Sequence, residues 1–244
     1  MSRFFVPRDS VKGSVISVTG EEAHHIADVM RLKVKDGVVT FDGTGKEYIG
    51  IIKEVGKKSI VIDVTETREA AKTRAPRITL IQAIPKREKI EYLIEKATEL
   101  GVGAIVPVFT ERTIPDWDED KKSSRVIRWR KIAREASKQC GRLDIPKIPD
   151  IAQFSDVIND ETLSGGLKLI AALQDGTEAI RKALKDFKGD RIYIAIGPEG
   201  DFTPDEVKSA VGRGFKPVSL GIRVLKSDTA GLFAISAIEY EYSE

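Results

Sequence analysis

Cysteine is nearly absent. Cys140 is the only one in 244 residues, so no internal disulfide can form. Histidine is almost as scarce, with only the adjacent pair His24 and His25. One thiol and two neighbouring imidazoles do not make a tetrahedral zinc set, so no metal is expected. No apolar run approaches the roughly 18 residues that would span a bilayer. The opening MSRFFVPRDS has no apolar stretch of the kind a secretion signal needs. Together these absences predict a cytoplasmic protein. Familiar catalytic phrases are missing too: there is no G-x-x-x-x-G-K-[ST], no G-x-G-x-x-G joining a strand to a helix, and no G-x-S-x-G. What remains, 41% hydrophobic and 32% charged, is the composition of an ordinary globular chain.

Net charge is also small, at +2, but its distribution is not even. Between Lys121 and Arg142 nine basic residues face one acid, Glu135. That segment carries +8 and the rest of the chain −6. On a helix, Val126, Trp129, Ala133, Ala136 and Cys140 share one face. Arg128, Lys131, Arg134, Lys138 and Arg142 share a roughly opposite one. A single sign of charge with few acids to pair favours contact with a polyanion over a merely solvated surface.

The chain changes character near residue 70. GSVISVTG, GVVTFDG, EYIGIIKEV and SIVIDVTE are short β-branched runs parted by turn residues, and DGTGKE at Asp42 to Glu47 suits a hairpin. One helical piece, EEAHHIADVMR, sets Ala23, Ile26, Val29 and Met30 on one side. Residues 1–68 therefore predict a small β-barrel-like domain. The polar stretch TREAAKTRAP, residues 67–76, marks a linker with bounds 69–76. From 77 to 244, continuous apolar runs (RITLIQAI, GAIVPVF, LKLIAAL, RIYIAIG, FKPVSLG) alternate with helical segments. This predicts an α/β domain with a parallel sheet buried on both faces. In KREKIEYLIEKATELG, Ile90, Leu93, Ile94, Ala97 and Leu100 keep helical spacing, and Gly101 sits at the C-cap.

Three strand ends stand out. IAIGPEGDFTPDEV stops a strand in a glycine-flanked turn and restarts as a helix. Thr203 with Glu206 makes a capping box, and Pro204 falls at the first helical position. LGIRVLKSDTAGLFAISAIEY repeats the pattern, with small residues where its helix begins. AALQDG around Leu173 supplies a third loop. In open α/β sheets ligands sit beyond the carboxyl ends of the strands, so three such loops can form a pocket. The alternative is a set of tight connections with no ligand.

IGPEG followed by a capped helix, and LGIRVLKSDTA near the C-terminus, resemble the SPOUT superfamily of knotted methyltransferases. HHIADVMRLKVKDG, KATELGVGAIVPVFTERT and RWRKIAREASKQCGRLDIPKI narrow the resemblance to the RsmE family, which methylates N3 of a uridine in small-subunit (16S) ribosomal RNA. The likeness runs in order through nearly the whole chain. It implies an N-terminal PUA-like barrel for RNA, a C-terminal domain with a trefoil knot, S-adenosylmethionine (SAM) as cofactor, and a homodimer. Carried over residue by residue, the donor pocket involves Leu173, Gly197, Pro198, Gly200, Leu220, Val224, Leu225, Thr229 and Ala230. The wording departs from the family at Lys226, Ser227 and Asp228, and at Asp201, where glycine is frequent.

The resemblance also matches His25, Arg31 and Lys33 in the barrel, and Arg112, Gln139 and Arg142 near the cleft, to RNA contact. Arg128, Lys131, Arg134 and Lys138 join them by charge. Uracil N3 carries a proton that must leave, so a base or a cation near the acceptor is expected. Among the charged residues of the two key loops the candidates are Arg223, the favoured one, then Glu199 and Asp228. Glu199 could instead tie its turn to a backbone amide, and Asp228 could cap the last helix. Two other functions stay open: methylation at another RNA position such as a transfer RNA ribose, and a non-catalytic RNA-binding assembly factor.

Overall fold

The computed structural model describes residues 3–71, 75–86, 89–113, 117–174 and 176–242. Residues 72–74 of the expected linker lie outside them. The chain divides into two compact units: Met1–Lys72 with Ser137–Ile145, and Thr73–Ala136 with Pro146–Glu244.

The first unit is a six-stranded sheet. Its strands are β1 (Arg3–Phe5), β2 (Val11–Lys12), β3 (Val15–Thr19), β4 (Gly37–Phe41), β5 (Lys46–Val55) and β6 (Ser59–Glu69), in the order β1-β4-β5-β6-β3-β2. All pairs are antiparallel except β1 with β4. Alternation puts Phe4, Ile16, Val18, Val38, Ile52, Ile60 and Ile62 in one buried cluster, so the sheet curls around its core. The β5–β6 pair is irregular after Ile49. Gly50 sits there because a Cβ would lie 2.6 Å from the Asp63 carbonyl oxygen.

DGTGKE does connect a hairpin, β4 to β5. Asp42 organises it. Its carboxylate accepts from the Thr44 amide (2.9 Å), the Thr44 hydroxyl (2.7 Å) and the Tyr48 hydroxyl (3.0 Å). Burial pushes the Asp42 carboxyl up. The hydrogen bonds from Thr44, Tyr48 and the Lys46 backbone outweigh that and hold it below its ordinary value.

The helical piece departs from expectation. Helix α1 (Gly20–His24) runs into a wider, π-type turn over His25–Val29. Ala23 and Ile26 are buried, but the wider turn rotates its own last residue, Val29, and the Met30 that follows, and both are exposed. Regular 3.6-residue spacing cannot anticipate that rotation.

The second unit is a seven-stranded, all-parallel sheet. The elements run β7 (Arg77–Ala83), α2 (Lys89–Glu99), β8 (Ala104–Phe109), α3 (Glu119–Cys140), β9 (Ala152–Gln153), α4 (Phe154–Ile158), β10 (Leu167–Ala171), β11 (Glu178–Ala179), α5 (Ile180–Leu184), β12 (Arg191–Ile196), α6 (Pro204–Gly212), β13 (Lys216–Ser219) and α7 (Ser227–Tyr242). Strand order is β11-β13-β10-β12-β7-β8-β9. The apolar runs are the central strands: every residue of β12 after Arg191 is buried. Helices α2 and α7 pack on each other, and α7 covers β7 and β12. Helix α3 buries Val126, Trp129, Ala133 and Ala136 as its periodicity predicts. Cys140, expected on that face, is exposed. It is the helix's last residue, and Gly141 breaks the geometry with φ 83°.

Candidate functional site

Strands β13, β10 and β12 are neighbours, so their following loops meet at one edge of the sheet. Those loops and the start of α7 line a cavity. The β10 end contributes Ala171, Ala172 and Leu173. The β12 end contributes Ile196, Gly197, Pro198, Glu199 and Asp201. The β13 end contributes Val218, Ser219, Leu220, Gly221, Arg223, Val224 and Leu225, and α7 adds Ser227 and Ala230.

The Gly197–Asp201 turn is the central wall, and side chains hold it on several sides. Asp201 adopts a left-handed backbone, φ 59°, unusual for a residue with a Cβ. Its carboxylate accepts from the Phe202 amide (2.8 Å) and, across to the next loop, from the Leu173 amide (2.9 Å). The Ser227 hydroxyl donates to the Gly197 carbonyl at 2.5 Å. Arg112 Nη1 donates to the Gly200 carbonyl at 2.6 Å. The capping box forms as expected: the Thr203 hydroxyl accepts from the Glu206 amide, and the Glu206 carboxylate accepts from the Thr203 amide. Glu111 joins it, accepting from the Thr203 hydroxyl at 3.1 Å.

Seven of the nine expected pocket residues line the cavity: Leu173, Gly197, Pro198, Leu220, Val224, Leu225 and Ala230. Gly200 and Thr229 do not. Gly200 faces Arg112, and Thr229 is exposed on α7. Ile196, Val218, Asp201, Gly221 and Ser227 line the cavity without having been singled out for it. Ile196 and Val218 close β12 and β13, a position the strand-end rule itself designates. Asp201 and Ser227 act through partners distant in sequence, which no local pattern reveals.

The three charged candidates separate. The Glu199 carboxylate accepts from the Lys86 amide at 3.1 and 3.3 Å, the tie that was its alternative role. Asp228 sits in the first turn of α7, 3.4 Å from the Lys89 ammonium, and does not line the cavity. Arg223 is exposed at the cavity.

Residues 73–239 match the family model "RNA methyltransferase domain", and residues 18–65 match "RNA methyltransferase PUA domain". Ribosomal RNA small subunit methyltransferase E of Bacillus subtilis (strain 168) is 30% identical over 99% of this chain and 97% of that protein. The chain belongs to the RsmE family. The protein of the same name from Mycobacterium bovis is 29% identical over 96% and 90%. The crystal structure of the Neisseria gonorrhoeae RsmE bound to S-adenosyl methionine matches with a TM-score of 0.85 and 29% identity, over 98% of this chain and 97% of that one.

The residues present fit such a cofactor. Ile196, Leu220, Val224 and Leu225 offer apolar surface for a flat base, and glycine-bearing loops leave main-chain groups accessible at its edge.

The residues that RsmE resemblance and charge assign to RNA have varied surroundings. In the first unit, Arg31 and Lys33 are exposed, Arg31 with φ 54°. His25 is half-buried, edge-on to Phe4 at 5.5 Å. Arg128 and Arg125 reach Glu91 of α2, at 2.7 and 3.5 Å. Lys138 pairs with Glu22 at 2.8 Å, and its side chain is only 10% exposed. Arg142 grips Asp144 through two nitrogens, at 3.2 and 2.9 Å. Arg134 lies 3.7 Å from Glu135. Lys131 and Gln139 are exposed. The premise that few acids pair this segment therefore fails: the acids come from elsewhere in the chain.

Proposed function

We propose that this chain transfers a methyl group from SAM to N3 of a uridine in 16S ribosomal RNA. The observation that carries the reading is the cavity at the carboxyl ends of three adjacent parallel strands, in a chain matched along its length by RsmE relatives. When bound, SAM supplies a methyl group on a positively charged sulfur, so the protein's main task is alignment. The 197–201 turn, the 171–173 loop and the 218–225 loop hold the donor.

Arg223 has the catalytic role. Its guanidinium, exposed at the cavity, stabilises the negative charge that uracil gains as the N3 proton passes to solvent water; N3 then takes the methyl group, releasing S-adenosylhomocysteine. Glu199 and Asp228 hold structure: the Lys86 amide occupies one and the Lys89 ammonium neighbours the other. Arg31, Lys33 and His25 of the PUA-like unit contact RNA, with Arg112, Lys131, Arg134 and Gln139. Arg128, Lys138 and Arg142 exchange their acid partners for phosphates when RNA arrives.

The active form is a homodimer. Ile222 (98% exposed), Val224 (74%) and Phe233 (44%) are apolar side chains at and near the cavity that a second copy would cover. We place the trefoil knot where the 220–226 segment passes the Gly197–Asp201 turn, a placement supported by the Ser227–Gly197 hydrogen bond. The site of action is the cytoplasm, where ribosomal subunits are assembled.

The test is nucleoside mass spectrometry of 16S RNA from small subunits incubated with this protein and SAM. N3-methyluridine is the expected product. A different methylated nucleoside, or none, overturns the reading.

A further inference from the structure

Gln82 is fully buried on β7, where its buried neighbours Leu80, Ile81 and Ala83 are apolar. It pairs in register with Ile196, the residue just before the Gly197 turn. Both of its amide hydrogens are used. Nε2 donates to the Ala83 carbonyl at 3.0 Å and to the Ser227 hydroxyl at 2.9 Å. Ser227, itself 4% exposed, donates onward to the Gly197 carbonyl.

The direction of this chain is forced. An amide nitrogen only donates and a carbonyl only accepts. The hydroxyl between them must take its hydrogen bond from Gln82 and aim its own hydrogen at Gly197. The Gly197 carbonyl is thereby fixed, and with it the peptide plane leading into Pro198. Two walls of the donor cavity, the 197–201 turn and the start of α7, are locked through one atom.

The arrangement carries a cost. Gln82 Oε1 is buried with no hydrogen-bond partner among the described residues. It faces α7 so closely that a Cβ at position 231, which is glycine, would lie 2.7 Å away. A leucine at 82 would fill similar volume and remove the orphan oxygen, which offsets part of the loss of the two bonds from Nε2, so stability alone is a weak reason for the amide.

We infer that Gln82 is a positioning residue for the methyl-donor site: acting through Ser227, it sets the Gly197 carbonyl and keeps the cavity in its binding shape. This rests on the donor-site reading above.

The test uses four full-length variants: Gln82→Leu, Ser227→Ala, their double mutant, and Ser227→Thr. Calorimetry gives the Kd for SAM, methylation of small subunits gives kcat and KM, and thermal unfolding gives Tm. Gln82→Leu should raise Kd and donor KM about tenfold or more. Its kcat at saturating donor should stay within about threefold and its Tm should shift by no more than a few degrees, the lost bonds being offset by the removed orphan oxygen. Ser227→Ala should match it, and the double mutant should add little, because both remove one chain. Ser227→Thr keeps the hydroxyl and should restore wild-type affinity, which keeps the test decisive even if Gln82→Leu misfolds. Donor affinity of Gln82→Leu within twofold of wild type overturns the inference, as does a loss that falls in step with Tm or adds fully in the double mutant. Wild-type protein that binds no SAM would instead overturn the donor-site reading.

Discussion

Gly197 and Gly200 flank the same glutamate and meet different neighbours. A Cβ on Gly197 would lie 3.0 Å from the Phe202 amide nitrogen and 3.1 Å from the Asp201 carboxylate. On Gly200 it would make an ordinary 3.4 Å contact with Arg112 Cδ. Gly197→Ala should therefore weaken SAM binding by about tenfold (about 1.4 kcal/mol), while Gly200→Ala should leave it within twofold. Titration calorimetry on the two variants decides this. For chemistry the residue to change is Arg223. Arg223→Ala should slow single-turnover methylation about a hundredfold, the usual scale for a lost electrostatic group, with SAM affinity nearly intact. A rate within threefold of wild type would remove Arg223 from the mechanism.

At the scale of elements, the β4–β5 hairpin and α3 make the clearest expectations. Asp42 has its folded pKa held below the unfolded value. Its contribution is therefore full above the unfolded pKa, about 3.9, and is lost as pH falls through the folded one. Asp42→Ala should cost about 1–3 kcal/mol at neutral pH. The gap between wild type and Asp42→Asn should shrink below about pH 4, followed by urea melts across pH. On α3, Lys131→Gln with Arg134→Gln should flatten the log–log salt dependence of RNA binding by about 0.7 per lost phosphate contact on single-stranded RNA. Lys138→Gln should also lower stability, because it removes the ammonium from the largely buried Glu22 carboxylate and leaves only His25, 4.0 Å away, beside it among the described residues. What the sequence made legible at this scale was local: strand runs, the Thr203 capping box, the Gly101 C-cap at φ 96°, and the buried face of α3. Glu91, Glu22 and Asp150, which pair the helix's cations, were not legible, because an ion pair between distant segments leaves no periodic trace. The outward turn of Val29 and Met30 was hidden for a related reason: one wide turn breaks the period on which the reading depends.

At the scale of the molecule, the order of the parallel sheet was not readable from alternation alone. Strand runs predict that β7, β8, β10, β12 and β13 exist and are parallel, but adjacency of β13, β10 and β12 is a matter of crossovers. That adjacency is what converts three ordinary loops into one cavity. The proposed homodimer belongs here too. Light scattering should give twice the 26.9 kDa chain mass, and Ile222→Asp should reduce it to one.

The first unit is discontinuous, and protein synthesis is not. Its strands lie within the first 72 residues, yet the unit also claims Ser137–Ile145. Arg3 donates to the carbonyls of Gly141 and Arg142, and Gly43 and Gly45 exchange backbone bonds with Ile145 and Leu143. A chain leaving the ribosome at roughly 5–20 residues per second exposes that sheet some seconds before the segment that finishes it exists. During that interval Arg3 has Glu47 and Phe41 beside it, but the Gly141, Arg142, Leu143 and Ile145 backbone that it and the hairpin glycines bond is not yet made. Nascent chains stalled after residue 100 should be cut by protease in this unit, and chains stalled late enough to free residue 145 should resist.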